Sequence, residues 1–179
     1  MRAEDREELI SHLPALRAFA ISLVRSRSGA DDAVQDAVVK ALTNFDKFER
    51  GTNMRAWLFT ILRNTYYSSQ RKYRRERDNL ASVVLDSQAT KPDHDGFLQF
   101  RDFLKAFDQL PDEQREVLVL VGASGFSYEE AAQMIGVPIG TIKSRINRAR
   151  ARLSADLGMA DGNLELTDRV TLAVISKLG

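Results

Sequence analysis

Cysteine is absent from the 179-residue chain, and histidine occurs only as His12 and His94. Without thiols there is no disulfide, no thiolate nucleophile and no cysteine-ligated zinc, and two lone histidines do not make a usual metal cluster. No metal or cofactor is expected. No nucleophile and base stand out as a pair, so no enzyme is expected either. Long apolar runs are also missing: no stretch nears the roughly 20 residues that span a bilayer. The N-terminus opens on Arg2, Glu4, Asp5, Arg6, Glu7 and Glu8 rather than on an apolar signal segment. A cytoplasmic protein without membrane association is expected. Four prolines and ten glycines punctuate a chain that is 44% apolar and 28% charged, enough apolar residues for a folded core. Recognition is the kind of function that these absences leave.

The net charge of +1 hides a strong pattern. Residues 51–80 carry Arg55, Arg63, Arg71, Lys72, Arg74, Arg75 and Arg77 against Glu76 and Asp78. Residues 141–153 carry Lys143, Arg145, Arg148, Arg150 and Arg152 with no acid, while residues 81–140 carry four bases against ten acids. One basic block is commonly just a solvated face. Two blocks on helical segments, separated by an acidic stretch, point to phosphate binding at two places.

Apolar residues recur three or four apart almost throughout, and no strict alternation is long enough for a strand, so the fold class is all-α. A first helix is expected from about Pro14 to Arg25, with Leu16, Phe19, Ala20, Leu23 and Val24 along one side. Gly29 is read as closing the connection. A second helix runs from Asp31 to about Asn44 with Val34, Val38, Ala41, Leu42 and Phe45 as its stripe, and Asp31 and Asp32 at the positive end of its dipole. Gly51 and Asn53 open a third, whose stripe is Met54, Trp57, Leu58, Ile61 and Leu62, continuing into Tyr66 and the basic tract.

The helical period is lost from Asp78 to Gly96, where Asp, Ser, Gly and Pro gather. Two small helical domains joined by a flexible linker are therefore expected: 1–77, a linker at 78–96, and 97–157. Residues 158–179 form a tail of unassigned role. The second domain opens with a helix from Phe97 to Phe107, which Leu110-Pro111 breaks before another centred on Val117 to Val121.

From about Ser127 to Leu153 the pattern is that of a helix-turn-helix. Ser127-Tyr128-Glu129-Glu130 is a capping box. Ala132, Gly136 and Ile142 supply in turn a small residue at the helix crossing, a residue suited to a left-handed turn, and an apolar core contact. Ile139, Ile142, Ile146, Ala149 and Leu153 leave one buried stripe on the second helix. Thr141, Lys143, Ser144, Asn147 and Arg148 project from the other face, with side chains able to pair with base edges in a major groove. Arg145, Arg150 and Arg152 are assigned to phosphates. A merely structural hairpin would mix charge signs on its exposed face; this one has no acid.

In the first domain, Trp57, Phe59, Tyr66, Tyr67 and Tyr73 interleave with Arg55, Arg63, Arg71, Lys72, Arg74 and Arg75. Unstacked bases rest on aromatic faces for about 1–3 kcal/mol each while cations track the backbone, so such a surface suits single-stranded nucleic acid. Core packing accounts better for Trp57; Tyr67 and Tyr73 are the better stacking candidates.

The segment GTNMRAWLFTILRN (51–64), with ADDAVQDAVVKAL before it and LVGASGFSYEEAAQMIGVPIGTIKSRINRARARL after the linker, resembles the extracytoplasmic-function sigma factors of bacterial RNA polymerase. Within them it is similar to the general-stress, EcfG-type group of alphaproteobacteria. The resemblance covers residues from about 10 to 157. It implies that the first domain is sigma region 2 and the second sigma region 4. It implies that Asp32, Gln35 and Asp36 dock on the polymerase beta-prime clamp, with Asp36 standing where Glu is commoner. Asn64 matches the position lining a pocket for a flipped base of the minus-10 element, with residues 65–70 as the loop that tunes base choice. Tyr67, Arg71, Lys72 and Arg74 extend that surface. Lys143, Ser144, Asn147 and Arg148 match positions facing the minus-35 element, Asn147 at a variable place. The implied partners are core RNA polymerase, through its beta-prime and beta subunits, promoter DNA, and an anti-sigma factor of NepR type.

A linker of roughly 20 residues extends to at most about 70 Å, more than ~17 base pairs at about 3.4 Å each. One domain can thus hold duplex while the other captures extruded bases, with no bond made or broken. Two other readings stand beside this one. A self-sufficient regulator with the same helix-turn-helix would bind its operator without polymerase. A decoy resembling the sigma-like domain of an anti-sigma antagonist would bind an anti-sigma factor but not DNA, and would be expected to lose the basic face that is intact here.

Overall fold

The computed structural model describes residues 1–79 and 98–158, with side chains described for 1–76 and 102–158. The expected linker, apart from Asp78 and Asn79, and the expected tail, apart from Gly158, lie outside these residues. Among the described residues all regular structure is helical. The first four helices are α1 (Ala3–Ser11), α2 (Leu13–Val24), α3 (Arg27–Thr43) and α4 (Met54–Asn79), with a single 3-10 turn at Phe45–Lys47. Then come α5 (Leu98–Asp108), α6 (Asp112–Leu118), α7 (Tyr128–Ile135) and α8 (Ile139–Asp156).

Pro14 sits in the first turn of α2, where its missing N–H costs nothing. α1 is an addition to the expected set. It buries only Asp5 and Leu9, and its start is held by Arg2, whose backbone N–H donates to Asp5 Oδ2 at 2.9 Å. α3 begins four residues earlier than the apolar pattern suggests. Ser26 caps it by accepting from the Gly29 N–H at 3.2 Å, so Gly29 lies inside the helix rather than before it. A Cβ at Gly29 would meet Val24 Cγ1 at 2.7 Å, which makes the glycine a close-packing residue between α2 and α3. Asp31 accordingly lies in the second turn, and its carboxylate accepts from Arg17 at 2.6 and 3.3 Å instead of capping.

The first core joins Leu16, Phe19 and Leu23 of α2 to Ala30, Ala37 and Ala41 of α3 and Met54, Leu58, Phe59 and Leu62 of α4. Alanines on the inner face of α3 let that helix approach closely. Val34 and Val38 flank them, half-buried, but Leu42 is 46% exposed and Val39 is 56% exposed, so the outer face of α3 is partly apolar. Trp57 packs on Phe48 (5.0 Å between ring centres) and Phe45 (6.1 Å), in keeping with its core assignment. In the second domain, Phe103 and Phe107 of α5, Val117 and Leu118 of α6, and Ala131 and Met134 of α7 surround Ile142, Ile146, Ala149 and Leu153 of α8. The small residue fully buried on α7 is Ala131; Ala132 is half-buried and uses its carbonyl to accept from Gly136 and Val137 N–H groups.

α6 does not stop at Leu118 but adds one π turn over Val119–Ala123, closed by Ser124 N–H to Val119 O at 2.7 Å. Such a wide turn changes the direction of the chain by inserting a residue into the helical register. Gly125, at φ +70°, completes the change, and Phe126 is delivered to the first domain. There its ring meets Phe59 edge-on at 5.1 Å, with the Arg55 guanidinium 4.8 Å from the Phe126 ring centre. The two domains therefore pack together.

Candidate nucleic-acid interface

The capping box forms as the sequence indicates: Ser127 Oγ accepts from Glu130 N–H at 3.1 Å, and Glu130 Oε2 accepts from Ser127 N–H at 2.8 Å. That second bond holds the Glu130 carboxyl below the usual carboxylate range. Gly136 ends α7 at φ 77°, ψ 39°, and after Val137 and Pro138 the chain enters α8. The turn between the helices is thus fixed by a cap at one end and a left-handed glycine at the other.

On α8, Lys143, Asn147 and Arg148 are exposed on one face, and Thr141 and Ser144 are half-exposed beside them. Ser144 Oγ donates to Thr141 O at 3.0 Å, a back-bond that occupies its hydrogen while leaving its lone pairs available. Arg145 is placed differently from its assignment to phosphate. Its Nη2 lies 2.6 Å from Glu113 Oε2 and its side chain is only 17% exposed, so it ties α8 to α6. Arg152 is exposed, while Arg150 is half-buried.

α4 carries the second surface. Asn64, Arg71, Lys72 and Arg74 are exposed. Ser68, Arg71, Lys72, Arg75 and Glu76 line a shallow groove along the helix, in which Arg71 Nη2 donates to Ser68 Oγ at 3.1 Å. Tyr73 is 50% exposed, as a stacking platform requires. Tyr67 is half-buried instead, and its hydroxyl donates to Glu116 Oε2 at 3.3 Å. Burial, and next the Glu116 carboxylate, push its phenol well above the ordinary value, so it stays a proton donor at any working pH.

A third surface lies on α3, where Asp32, Gln35 and Asp36 are all exposed at spacings of three, one and then three to Val39. The carboxylates and the exposed apolar residues Val39 and Leu42 thus share one side of the helix.

Sequence reasoning missed Arg115 and Glu116. Both are 1% exposed, and both find partners across the domain boundary. Arg115 Nε donates to Ser22 O at 2.7 Å, near the C-terminus of α2, and its Nη2 reaches Asp112 at 2.6 Å. Glu116 Oε1 accepts from Arg63 Nε at 2.7 Å. Burial pushes the Glu116 carboxyl up, opposed by Arg63. The available signal was a charged pair set directly against the apolar run Val117 to Val121. Among the described residues no group of His, Cys, Asp and Glu is arranged to hold a metal.

Family comparisons follow the same division of the chain. The family model for Sigma-70 region 2 matches residues 9–76, and that for Sigma-70 region 4 matches residues 100–153. The ECF RNA polymerase sigma factor EcfG of Rhodopseudomonas palustris is 50% identical over 150 residues, 84% of this chain and 83% of the relative. This chain belongs to the extracytoplasmic-function sigma factors of RNA polymerase. Its two domains are those of promoter recognition and transcription initiation. Among solved structures, the sigma factor RpoE of Bartonella quintana, crystallised with the anti-sigma factor NepR, has a TM-score of 0.78 at 50% identity, covering 90% of this chain and 100% of that one. The fold is also that of the PhyRSL protein of Sphingomonas sp. Fr1, solved as its complex with NepR, at a TM-score of 0.65 and 22% identity over 84% and 87% of the two chains.

Proposed function

We propose that this sigma factor reads a promoter in two forms of DNA, a minus-35 element as duplex through α8 and a minus-10 element as melted strand through α4. The observation that carries this reading is the pair of exposed cationic helix faces on separate domains, one on a capped helix-turn-helix and one beside exposed Tyr73. On α8, Lys143 and Arg148 are the donors for base edges, and Asn147, Ser144 and Thr141 complete the face. On α4, Asn64 presents an amide to an extruded base, Tyr73 and, once released from Glu116, Tyr67 offer ring faces, and Arg71, Lys72 and Arg74 follow the phosphates.

Region 2 spans residues 1–77 and region 4 residues 97–157, with 78–96 as the linker between them. Asp32, Gln35 and Asp36 meet a basic surface of the polymerase beta-prime clamp, with the apolar Val39 and Leu42 extending the contact, and region 4 meets the beta subunit. The chain works in the cytoplasm, makes and breaks no bond itself, and is held in check by an anti-sigma factor of NepR type. Reconstituted transcription tests the whole reading. Core polymerase plus this chain is expected to start transcription at a defined promoter, whereas the chain alone binds it weakly. Tight sequence-specific binding without polymerase, and no transcript with it, would identify a self-sufficient regulator instead.

A further inference from the structure

We propose that the C-terminal half of α4 is a pin between the two melted strands: the groove that continues from Asn64 holds the strand that is read, and Tyr73, on the opposite face, stacks on a base of its complement. The proposal rests on the promoter reading above and adds to it a second nucleic-acid partner, the displaced strand.

α4 runs unbroken from Met54 to Asn79, so residues 65–70, expected as a loop, are helical, and the helical period fixes which side chains share a face. Ser68, Arg71 and Arg75 follow Asn64 by four, seven and eleven residues, which places each within about 40° of it around the axis. The amide and the groove cations thus form one continuous track. Tyr73 follows Asn64 by nine residues, two and a half turns, so it stands about 180° away and about 14 Å farther along. Glu76, three residues after Tyr73, lines the edge of the groove nearest to it, and its carboxylate repels a phosphate backbone crossing there. A strand that follows the track therefore misses Tyr73.

The face that carries Tyr73 has the features a second strand needs. Tyr66, seven residues earlier, shares that face, and its hydroxyl donates to Leu23 O at 2.9 Å near the end of α2. Tyr73 prolongs the face beyond this contact, with its ring half exposed. Burial, and next the Asp112 carboxylate, push the Tyr66 phenol up, while the guanidiniums of Arg115, Arg25 and Arg74 oppose them, which puts Arg25 and Arg74 close to the tyrosine face. Arg74 is exposed, and Arg25 keeps 44% of its side chain exposed while paired with Asp112 at 3.3 Å. An exposed ring flanked by exposed guanidiniums suits an unstacked base and its phosphates.

Every side chain from Ser68 to Glu76 is exposed, so this part of α4 is open on all sides among the described residues. Its ion pair, Lys72 with Glu76 at 3.9 Å, is exposed too and contributes little. A helix that is polar all round has no buried stripe to stabilise it, and phosphates on both sides would offset the repulsion between its cations. With its side chains an α-helix is about 10–12 Å across. Paired bases bond at about 3 Å, so strands held on opposite faces of α4 cannot re-pair. The pin would hold the duplex open beside Asn64, where the base is taken.

Open complexes of core polymerase and this chain test the pin, on promoters carrying a single abasic site at successive positions of either strand across the minus-10 element. At one position of the complement, loss of the base is expected to shorten the open-complex lifetime at least about fivefold for the wild type and less than about twofold for Tyr73→Ala. Tyr73→Phe, which keeps the ring, is expected to respond as the wild type does. Abasic sites in the read strand are expected to affect wild type and Tyr73→Ala alike. A photo-cross-linking p-benzoylphenylalanine in place of Tyr73 is expected to join the complement, and one in place of Arg71 the read strand. If no abasic site in the complement distinguishes the wild type from Tyr73→Ala, or if the cross-link from position 73 goes to the read strand or to polymerase, the pin is overturned and the promoter reading stands. No open complex with the wild-type chain on the intact promoter would overturn the promoter reading, and this inference with it.

Discussion

Arg63 Nε lies 2.7 Å from Glu116 Oε1, joining region 2 to region 4 through two side chains 53 residues apart. Arg63 immediately precedes Asn64, the residue proposed to meet an extruded base, and covers Tyr67, so one ion pair connects the packing of the domains to the surface proposed to read melted DNA.

Lys143→Ala and Arg148→Ala are each expected to weaken promoter recognition by about 1–3 kcal/mol at one base pair and to relax preference there. Holoenzyme binding to a panel of single-base minus-35 variants checks this. Arg145→Ala should behave differently. Because Arg145 is paired with Glu113, which is itself 66% exposed, the loss is expected as at most about 1 kcal/mol of stability, with the salt dependence of DNA binding unchanged.

Tyr73→Ala removes an exposed ring beside the basic groove of α4. It is expected to reduce strand capture by about 1–3 kcal/mol without changing duplex minus-35 binding. Permanganate reactivity of thymines in the opened promoter reports the capture, and a gel shift on the duplex element reports the other.

Ser127→Ala removes a cap whose hydroxyl accepts from Glu130 N–H, and is expected to cost about 1 kcal/mol in urea denaturation. Its partner gives a pH signature. The Glu130 carboxyl is held below its ordinary value by the Ser127 N–H, so its contribution is present above the unfolded carboxylate pKa of about 4.3 and is lost as pH falls through the depressed folded value. The stability difference between the wild type and Glu130→Gln is expected to shrink over that acidic window. A difference that stays constant there would show that the carboxylate does not cap α7.

Reversing charge on α3, with Asp32→Lys and Asp36→Lys together, is expected to weaken core polymerase binding at least about tenfold. The folded state should be unaffected, since both carboxylates are exposed and accept no hydrogen bond among the described residues. Surface-immobilised core polymerase measures the first, and thermal unfolding the second.

The helix-turn-helix was legible because its signals are local: a capping box four residues long, a glycine in a left-handed turn, and a stripe at spacings of three and four. The start of α3 was misplaced for an equally local reason, since Ser26 and Gly29 read as loop residues until Val24 is seen to require the glycine. α1 escaped notice because Leu9 is its one buried apolar residue. The domain contacts were not legible at all. Arg63, Arg115, Glu116 and Phe126 meet partners 49 to 93 residues away, and no periodicity reports such a distance. Arg145 was assigned to phosphate by its charge, and only its neighbour Glu113 in space reveals the other use.

One chain is proposed to read two separated DNA elements on behalf of polymerase. Transcription by core polymerase plus this chain from templates of altered spacing tests it most directly. Inserting about 5 base pairs, half a helical turn, between the elements is expected to abolish the transcript, because the two elements then face opposite sides of the duplex. Transcription indifferent to that insertion, or binding to the minus-35 element alone that suffices for activity, would contradict it.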